Sequence, residues 1–322
     1  MADAARRAAF LSPGRDLAAA VDLARRAEAL GYESVWVTHG LGRDSFLVLA
    51  AYGAATTRLG LGVGVLPIYP RHPVATAQAA LTLSELTGGR FVLGLGVSHR
   101  ASMEQMLGLS LTAPLGVMRE YVAVLRGALG EGAAFEGRHF NVRWSLAVPV
   151  LPPAPRIVLA ALSPRMCELA GEIADGVVLW LCAPAYIQKI ALPAIARGRA
   201  RAGKSLDGFE VVAAVPLALT DDPKAATALF KEELVRYLML PFYRAMLAAS
   251  GFGEELAAFD RDRSGRSVPD RLAQALGGIG GRAELRDYVA SYRSAGVTLP
   301  AVRPIAFPEA PHYRPTLDAL GS

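Results

Sequence analysis

The chain has 322 residues, of which 52% are hydrophobic and 20% are charged, a composition typical of a globular protein with a large core. No apolar run reaches the roughly eighteen residues of a membrane span, because Gly, Pro or a charged residue interrupts each one. The first residues show no signal-peptide pattern. The two cysteines, Cys167 and Cys182, lack CxxC or metal-ligand spacing. We therefore expect a cytoplasmic protein with reduced thiols, no membrane partner and no metal site.

The charge balance is basic, with a net charge of +5 and an isoelectric point of about 9.3. The Lys and Arg residues are scattered, often beside acidic residues at helical spacing, and they form no continuous block or aromatic-basic stripe. This distribution argues against nucleic-acid binding. It favours a mild positive field that attracts an anionic cofactor or substrate.

One unit, a helix followed by a glycine turn and a short apolar strand, recurs along the chain. In its first copy, residues 17–30 carry apolar side chains at helical spacing, Gly31 ends the helix, and Ser34–Val37 follows as the strand. Strands are predicted at residues 8–11, 34–37, 59–65, 91–95, 157–161, 177–180, 209–215 and 301–305. Their continuous apolar character is typical of parallel strands buried on both faces. Eight such units in one domain, residues 1–322, favour an α/β fold of the (β/α)8 TIM-barrel type over an open doubly wound sheet.

Two segments interrupt this repeat. Residues 131–155 are aromatic and proline-rich, and residues 237–281 are longer than one helix and its loops require. We interpret both as insertions on the C-terminal face of the barrel, where they would shape a substrate pocket. Side chains that could line the substrate side are Arg100, Glu104, His139, Arg143 and Trp144.

Residues 58–100 contain the clearest functional signal, because polar side chains follow each of their two apolar strands. Arg71 and His72 come after the first strand, and Ser98, His99 and Arg100 come after the second. In parallel α/β proteins, ligands bind at the carboxyl ends of the strands. The sequence therefore predicts a ligand site at this edge.

Four segments of the chain resemble one enzyme family. They are AEALGYESVWVTH at 27–39, GVLPIYPRHPVATAQAALTLSELTGGRFVLGLGVS at 64–98, IVLAALSPRMCELAGEIADGVVL at 157–179 and AGVTLPAVRP at 295–304. Together they resemble the bacterial luciferase-like monooxygenase superfamily. The resemblance is greatest to the branch that uses the deazaflavin coenzyme F420, which includes methylenetetrahydromethanopterin reductase.

The resemblance implies an F420-dependent oxidoreductase that transfers a hydride between the deazaflavin and a small organic substrate. It also implies a homodimer. An FMN-dependent monooxygenase of the same superfamily, using FMNH2 and O2, is the alternative. A non-catalytic flavin-binding protein is a third interpretation, from a different functional class.

The resemblance further implies a position for the cofactor ring. In this family the flavin or deazaflavin lies at the C-terminal mouth of the barrel, against a non-prolyl cis peptide bond. The corresponding bond in this chain is Gly64–Val65. Ser98 and His99 correspond to contacts with the ribityl chain or the ring.

The cofactor phosphate is expected where the fifth strand ends. The residues that match this part of the family are Ala160, Ala161, Leu162 and Ser163. Ser163 and Pro164 also read as the start of a helix, with Ser as the N-cap and Pro in the first turn. Free backbone N–H groups at such a start favour an anion.

His39 ends the second strand, where many relatives carry an Asp-His pair near the redox carbon. This chain has no Asp at that point, and the resemblance makes His39 the candidate catalytic residue and a cofactor contact. Its imidazole could act as an acid or base, or polarise the substrate. A packed structural histidine is the other interpretation. Two further residues are left open: Arg71 binds the anionic cofactor tail or is merely exposed, and Trp180 lines the pocket or packs in the core.

Overall fold

A computed structural model describes residues 6–40, 42–147 and 153–321. Eight parallel strands, β1–β8 in chain order, each pair with the next, and β8 pairs with β1. The barrel is therefore closed, which confirms the predicted (β/α)8 fold and excludes the open sheet. The strands are Ala8–Phe10, Ser34–Val37, Gly60–Pro67, Phe91–Gly96, Arg156–Ala160, Gly176–Leu179, Glu210–Leu219 and Leu299–Pro304.

Helices surround the barrel and cover part of its mouth. The α-helices of the described residues, α1–α13 in chain order, are Leu17–Ala29, Ser45–Ala55, Pro73–Leu86, Pro114–Ala128, Pro164–Ile173, Pro184–Tyr186, Leu192–Arg201, Pro223–Leu238, Pro241–Ala249, Gly253–Phe259, Asp270–Leu276, Arg282–Ser294 and Tyr313–Leu320. The predicted helix start at Ser163 is confirmed, since its side chain accepts a backbone N–H at the N-terminus of α5, and Asp44 caps α2 in the same way. No helix in the described ranges combines the length and apolarity that a bilayer span requires.

Aromatic rings fill the inside of the barrel, and the glycine-rich β3 makes room for them. A Cβ atom at Gly62 would lie 2.4 Å from the Trp36 ring, and one at Gly64 would lie 2.7 Å from the Phe10 ring. Both distances are shorter than real Cβ contacts, so the two glycines are required by packing. The phenyl ring of Phe10 lies 6.1 Å from the indole of Trp36, between centroids.

The first insertion lies on the side of the barrel. Strands Gly132–Glu136 and Asn141–Ser145 form an antiparallel hairpin that packs on α4. The Glu120 carboxylate of α4 accepts backbone N–H groups of residues 138–140 at the hairpin turn. The prediction that this segment lies over the strand ends is wrong, because the hairpin leaves the end of α4 and runs back along that helix. Residues 148–152 of the predicted insertion lie outside the described residues.

The second insertion lies on the C-terminal face, as predicted. It begins after β7, and it ends with a short strand, Gly278–Gly280, that pairs in parallel with the last residues of β7. Helices α8–α11 lie between these points. The insertion is longer than residues 237–281, because α12, and not α8, packs on both β7 and β8 as the outer helix of that unit.

Candidate active site

The inward-facing rows of the barrel strands identify the side chains that reach its C-terminal mouth. Val178 of β6 lies in the barrel core, as do Leu299 and Ala301 of β8. Because side chains alternate across a strand, the next inward positions are Trp180 and Arg303. The Arg303 guanidinium lies 5.5 Å from the centre of the Trp180 ring, so both side chains face the same space.

The Gly64–Val65 peptide bond is cis, as the family resemblance predicts. The pairing of β3 with β4 shifts register between Val63 and Leu66, which makes a bulge at this bond. Val65 is half-buried and packs against the barrel core from the mouth side. The bulge therefore lies where the resemblance places the face of the cofactor ring.

Glycines of β4 leave space for this bulge. A Cβ atom at Gly94 would lie 2.0 Å from the carbonyl oxygen of Val63, and one at Gly96 would lie 2.5 Å from Cγ2 of Val65. The first clash involves backbone atoms that cannot move aside. The LGLG sequence of β4 is thus explained by close contact with the bulge.

His39 lies just beyond β2 and is held by the start of α2. The Ser45 hydroxyl lies 2.9 Å from His39 Nδ1, and the Ser45 backbone N–H donates to the same nitrogen at 3.3 Å. An amide N–H can only donate, so Nδ1 accepts and the neutral ring carries its proton on Nε2. Burial lowers the pKa of His39, with a further lowering from Arg71, while Asp44 opposes it. His39 is therefore a neutral hydrogen-bond donor at ordinary pH.

Arg71 is fixed beside His39 and is not free on the surface. Its guanidinium forms an ion pair with the Asp44 carboxylate and lies 5.4 Å from the centre of the Phe46 ring. Its side chain is 30% exposed. These contacts connect the loop after β3 to the N-terminus of α2, and they support neither free exposure nor a direct role in chemistry.

The end of β4 meets the second insertion. Ser98 has a φ of 62°, and His99 follows it with its ring 5.9 Å from that of Tyr243 in α9. Burial lowers the pKa of His99, and the positive charge of Arg236 lowers it further. Arg236 belongs to α8, so the insertion supplies both an aromatic wall and a positive charge to this side of the mouth.

Arg100 and Glu104, two of the residues expected to line the substrate side, are instead used to hold the loop that follows β4. They form an ion pair with each other. Arg100 also donates to the carbonyl of Leu111 at 3.1 Å, and Glu104 accepts the Leu111 N–H at 3.3 Å. Their hydrogen bonds are thus directed to the backbone of this loop.

The end of β5 has the features predicted for an anion site. Ser163 Oγ caps α5 by accepting the N–H of Met166 at 3.2 Å. The Tyr186 hydroxyl donates to the carbonyl of Leu162 and fixes the turn. Ala160 and Leu162 are half-buried at the mouth, and Ala161 is buried. Pro164 has no N–H, and the N–H groups of Met166 and Cys167 bond to Ser163, so the Arg165 N–H is the one that the first turn of α5 leaves for an oxyanion.

The three hairpin candidates do not reach the mouth. His139, Arg143 and Trp144 lie in the hairpin on α4. The prediction that they line the substrate side is therefore wrong, for the same reason that the insertion was misplaced. Among the described residues there is no group of three His, Cys, Asp or Glu side chains that could hold a metal ion.

Sequence reasoning missed Arg303 and Glu233. Arg303 of β8 is 7% exposed, and its Nη1 lies 2.7 Å from Oε1 of Glu233 in α8. The available signal was a charged residue two positions after Ala301, in the row of alternate positions that begins at Leu299. No sequence signal indicated Glu233, because its role depends on where α8 lies.

Comparison with known proteins identifies the family. The family model of the luciferase-like monooxygenases matches residues 1–299. The chain belongs to the luciferase-like monooxygenase family. The match to this family covers the first seven barrel strands and the insertions.

Two relatives and one solved structure show how similar the chain is to individual proteins. The chain is 30% identical over 322 residues to a provisionally named coenzyme F420-dependent oxidoreductase of Mycobacterium tuberculosis, covering 87% of this chain and 89% of the relative. It is 34% identical over 214 residues to 5,10-methylenetetrahydromethanopterin reductase of Methanolobus tindarius, covering 66% of this chain and 64% of the relative. The solved F420-dependent tetrahydromethanopterin reductase of Methanopyrus kandleri superposes with a TM-score of 0.84 at 24% identity, covering 99% and 97% of the two chains.

Proposed function

We propose that this luciferase-like protein is an F420-dependent oxidoreductase that transfers a hydride between the deazaflavin and a small organic substrate. The observation that carries the proposal is the 30% identity, over 87% of the chain, to a relative named for F420-dependent oxidation and reduction. The donor His39 at the mouth supports it.

The residues at the mouth fit such a cofactor. The predicted contacts follow β2, β3, β4 and β5, which are consecutive strands of the barrel, so they form one continuous arc. Val65 presents an apolar surface for a flat ring. The start of α5, next to Ser163, presents the Arg165 N–H for a phosphate. The apolar surface at Val65 and the anion site at the start of α5 thus lie along one arc, in the order of a ring followed by a phosphate-bearing tail.

The bound deazaflavin would supply or accept the hydride. The chain's own contribution is to position and polarise the substrate. His39 donates from Nε2 to the oxygen or nitrogen on the reacting carbon, and Ser45 keeps the ring in that tautomer. Tyr243 and the other insertion residues restrict water above His99. His39 is accordingly assigned as a hydrogen-bond donor, because its lowered pKa disfavours the imidazolium form.

An FMN-dependent monooxygenase remains the rival, since one fold supports both chemistries. We would titrate the cofactor-free protein with F420 and, separately, with FMN, following tryptophan fluorescence and heat. Micromolar binding of F420 without FMN binding, followed by oxidation of F420H2 with added enones or imines, is the expected result. Tight binding of FMN alone, with oxygen uptake in the presence of FMNH2, would contradict the proposal.

Binding of F420 without turnover against any substrate would instead favour the third interpretation, a non-catalytic flavin-binding protein. The His39→Ala variant separates these cases. In an enzyme it lowers the rate at saturating cofactor. In a binding protein there is no rate to lower.

We also propose that the protein is a homodimer in the cytoplasm. Leu47, in the first turn of α2, and Leu86, the last residue of the neighbouring α3, are 73% and 55% exposed, so each end of this helix pair carries one large exposed apolar side chain. We take the outer face of these two helices as the surface that pairs in the dimer. Sedimentation measures the oligomeric state of the wild-type protein and of the double variant Leu47→Glu, Leu86→Glu. We expect a dimer for the wild type and a monomer for the variant.

A further inference from the structure

Arg303 has more hydrogen-bond donors than partners. Only its Nη1 is engaged, with Glu233. Its Nε and Nη2 are buried and have no hydrogen-bond partner among the described residues. These two atoms form one edge of the guanidinium plane, the edge that binds a carboxylate with two parallel N–H···O bonds. The side chain is 9% exposed, so water does not readily replace the missing partner.

The charges around Arg303 do not balance. Glu233 lies 2.7 Å from Arg303 and also 3.7 Å from Nη2 of Arg236, so one carboxylate serves two guanidinium groups. One positive charge is therefore in excess on this side of the mouth. A buried, incompletely paired charge is costly unless an opposite charge joins it.

A second unpartnered donor lies against the same group. Trp180 Nε1 is buried beside the Tyr237 hydroxyl and has no partner at hydrogen-bond distance and angle among the described residues. The ring of Trp180 contacts that of Phe10 edge to face at 5.2 Å, and the Arg303 guanidinium also lies 5.9 Å from the centre of the Phe230 ring. The cationic edge is thus bordered by an apolar wall.

Trp180 and Arg303 lie apart from the expected cofactor contacts. Those contacts follow β2–β5, whereas Trp180 and Arg303 extend β6 and β8 on the other half of the closed barrel. Glu233, Arg236 and the aromatic side chains above them come from the second insertion. This half is the one left to the substrate.

We propose that Arg303 binds a carboxylate of the substrate through Nε and Nη2, and that the enzyme therefore acts on small organic acids with an apolar body. Trp180, which is half-buried, contacts that body. Glu233 holds the guanidinium in place and competes with the incoming carboxylate. The inference rests on the proposed function for the reaction, but the binding step is tested without any cofactor.

The experiment measures the binding of acids and their neutral amides. Acetate, butyrate, benzoate and 4-phenylbutyrate, each beside its amide, are titrated into the full-length protein by calorimetry and tryptophan fluorescence. The variants are Arg303→Gln, Glu233→Gln and the control Arg244→Gln. Arg244 also anchors the second insertion, donating to Leu238 and Asp260, but it makes no contact with Arg303.

We expect at least one acid to bind about tenfold or more tightly than its amide. Arg303→Gln removes that preference. Glu233→Gln tightens acid binding by about threefold to tenfold, because a competing carboxylate is gone. Arg244→Gln keeps the wild-type affinities. The opposite effects of the first two variants exclude loss of folding as the cause.

Equal binding of acids and amides, unchanged acid binding in Arg303→Gln, or no acid binding in either the wild type or Glu233→Gln would overturn the proposal. The anionic tail of F420 is the other source of an oxyanion, so F420 is titrated into the same variants. Retained F420 affinity in Arg303→Gln assigns the arginine to the substrate. Lost affinity would assign it to the cofactor and overturn the inference. Failure of the wild type to bind F420 contradicts the proposed function alone.

Discussion

Two groups of Ser45 contact the same nitrogen of His39: its hydroxyl at 2.9 Å and its backbone N–H at 3.3 Å from Nδ1. Ser45 is fully buried at the start of α2, so this contact is shielded from water. It makes the imidazole a neutral donor whose Nε2–H is available to the mouth. The first two predictions depend on this relationship.

His39→Ala should lower kcat by about 100-fold to 1,000-fold, because one donor to the reacting group is lost. His39→Gln should recover about tenfold of that loss, since its amide can donate from a similar position. Steady-state kinetics with F420H2 measure both. Equal loss in the two variants would point to proton transfer instead of hydrogen bonding. His139→Ala, in the hairpin on α4, is the control and should leave kcat unchanged.

The rate should fall on the acid side, at a pH below the ordinary pKa of histidine. Burial lowers the pKa of His39 from 6.5, so the neutral ring persists until the pH falls through this lowered value. Protonation at Nδ1 then sets one N–H against the Ser45 N–H, which also donates, so the ring is no longer held in its position at the mouth. The pH profile of kcat and an NMR titration of His39 should show the same transition.

Arg71→Met should shift this acid transition to higher pH. Removing the guanidinium takes away a positive charge that lowers the pKa of His39, and it leaves Asp44, which raises that pKa, without its partner. Both effects raise the pKa of His39. An unchanged or lowered transition in the variant would show that burial alone sets the pKa.

Gly94→Ala should destabilise the protein by about 3 kcal/mol, because the new methyl group meets the Val63 carbonyl oxygen and nothing can move aside. Gly96→Ala meets the side chain of Val65, which can rotate, so it should fold and lose cofactor affinity instead. Chemical denaturation and F420 titration measure the two effects. Gly253→Ala, where no atom lies within 4 Å, is the control and should be close to neutral.

Glu210→Gln should cost about 2 kcal/mol of stability without changing kcat, because Glu210 begins β7 at the end of the barrel away from the mouth. Burial would raise its pKa, but hydrogen bonds from Arg6 and Thr298 outweigh this and hold the pKa below 4.5. The stabilisation is therefore present above about pH 4.5 and is lost as the pH falls through the lowered pKa of the folded state.

Unfolding of Glu210→Gln and wild type as a function of pH tests this assignment. The difference between them should shrink as the solution is acidified. Asp22→Asn, which removes an exposed pair with Arg25, should change stability by less than about 0.5 kcal/mol at any pH. A pH-independent deficit in Glu210→Gln would show that the carboxylate charge is not the source of the stability.

Much of the barrel follows from local sequence alone. A strand buried on both faces must be continuously apolar, and a helix start requires a cap such as Asp44 or Ser163, so both are visible in a short window of residues. The resemblance of residues 64–98 to the family added the Gly64–Val65 cis bond, which periodicity does not indicate. The misplaced hairpin shows the limit, since nothing in residues 131–155 states which surface they pack against.

What lies opposite the expected cofactor contacts depends on how the chain folds. Arg303 faces inward because the closure of the barrel assigns one face of β8 to the interior, and Glu233 meets it because α8 lies across the mouth. The tautomer of His39 likewise depends on where Ser45 is held. Local sequence patterns and the family resemblance are enough to assign the elements and the family. The charges and hydrogen bonds that select a substrate come from residues far apart in the chain, so they exist only once the chain is folded.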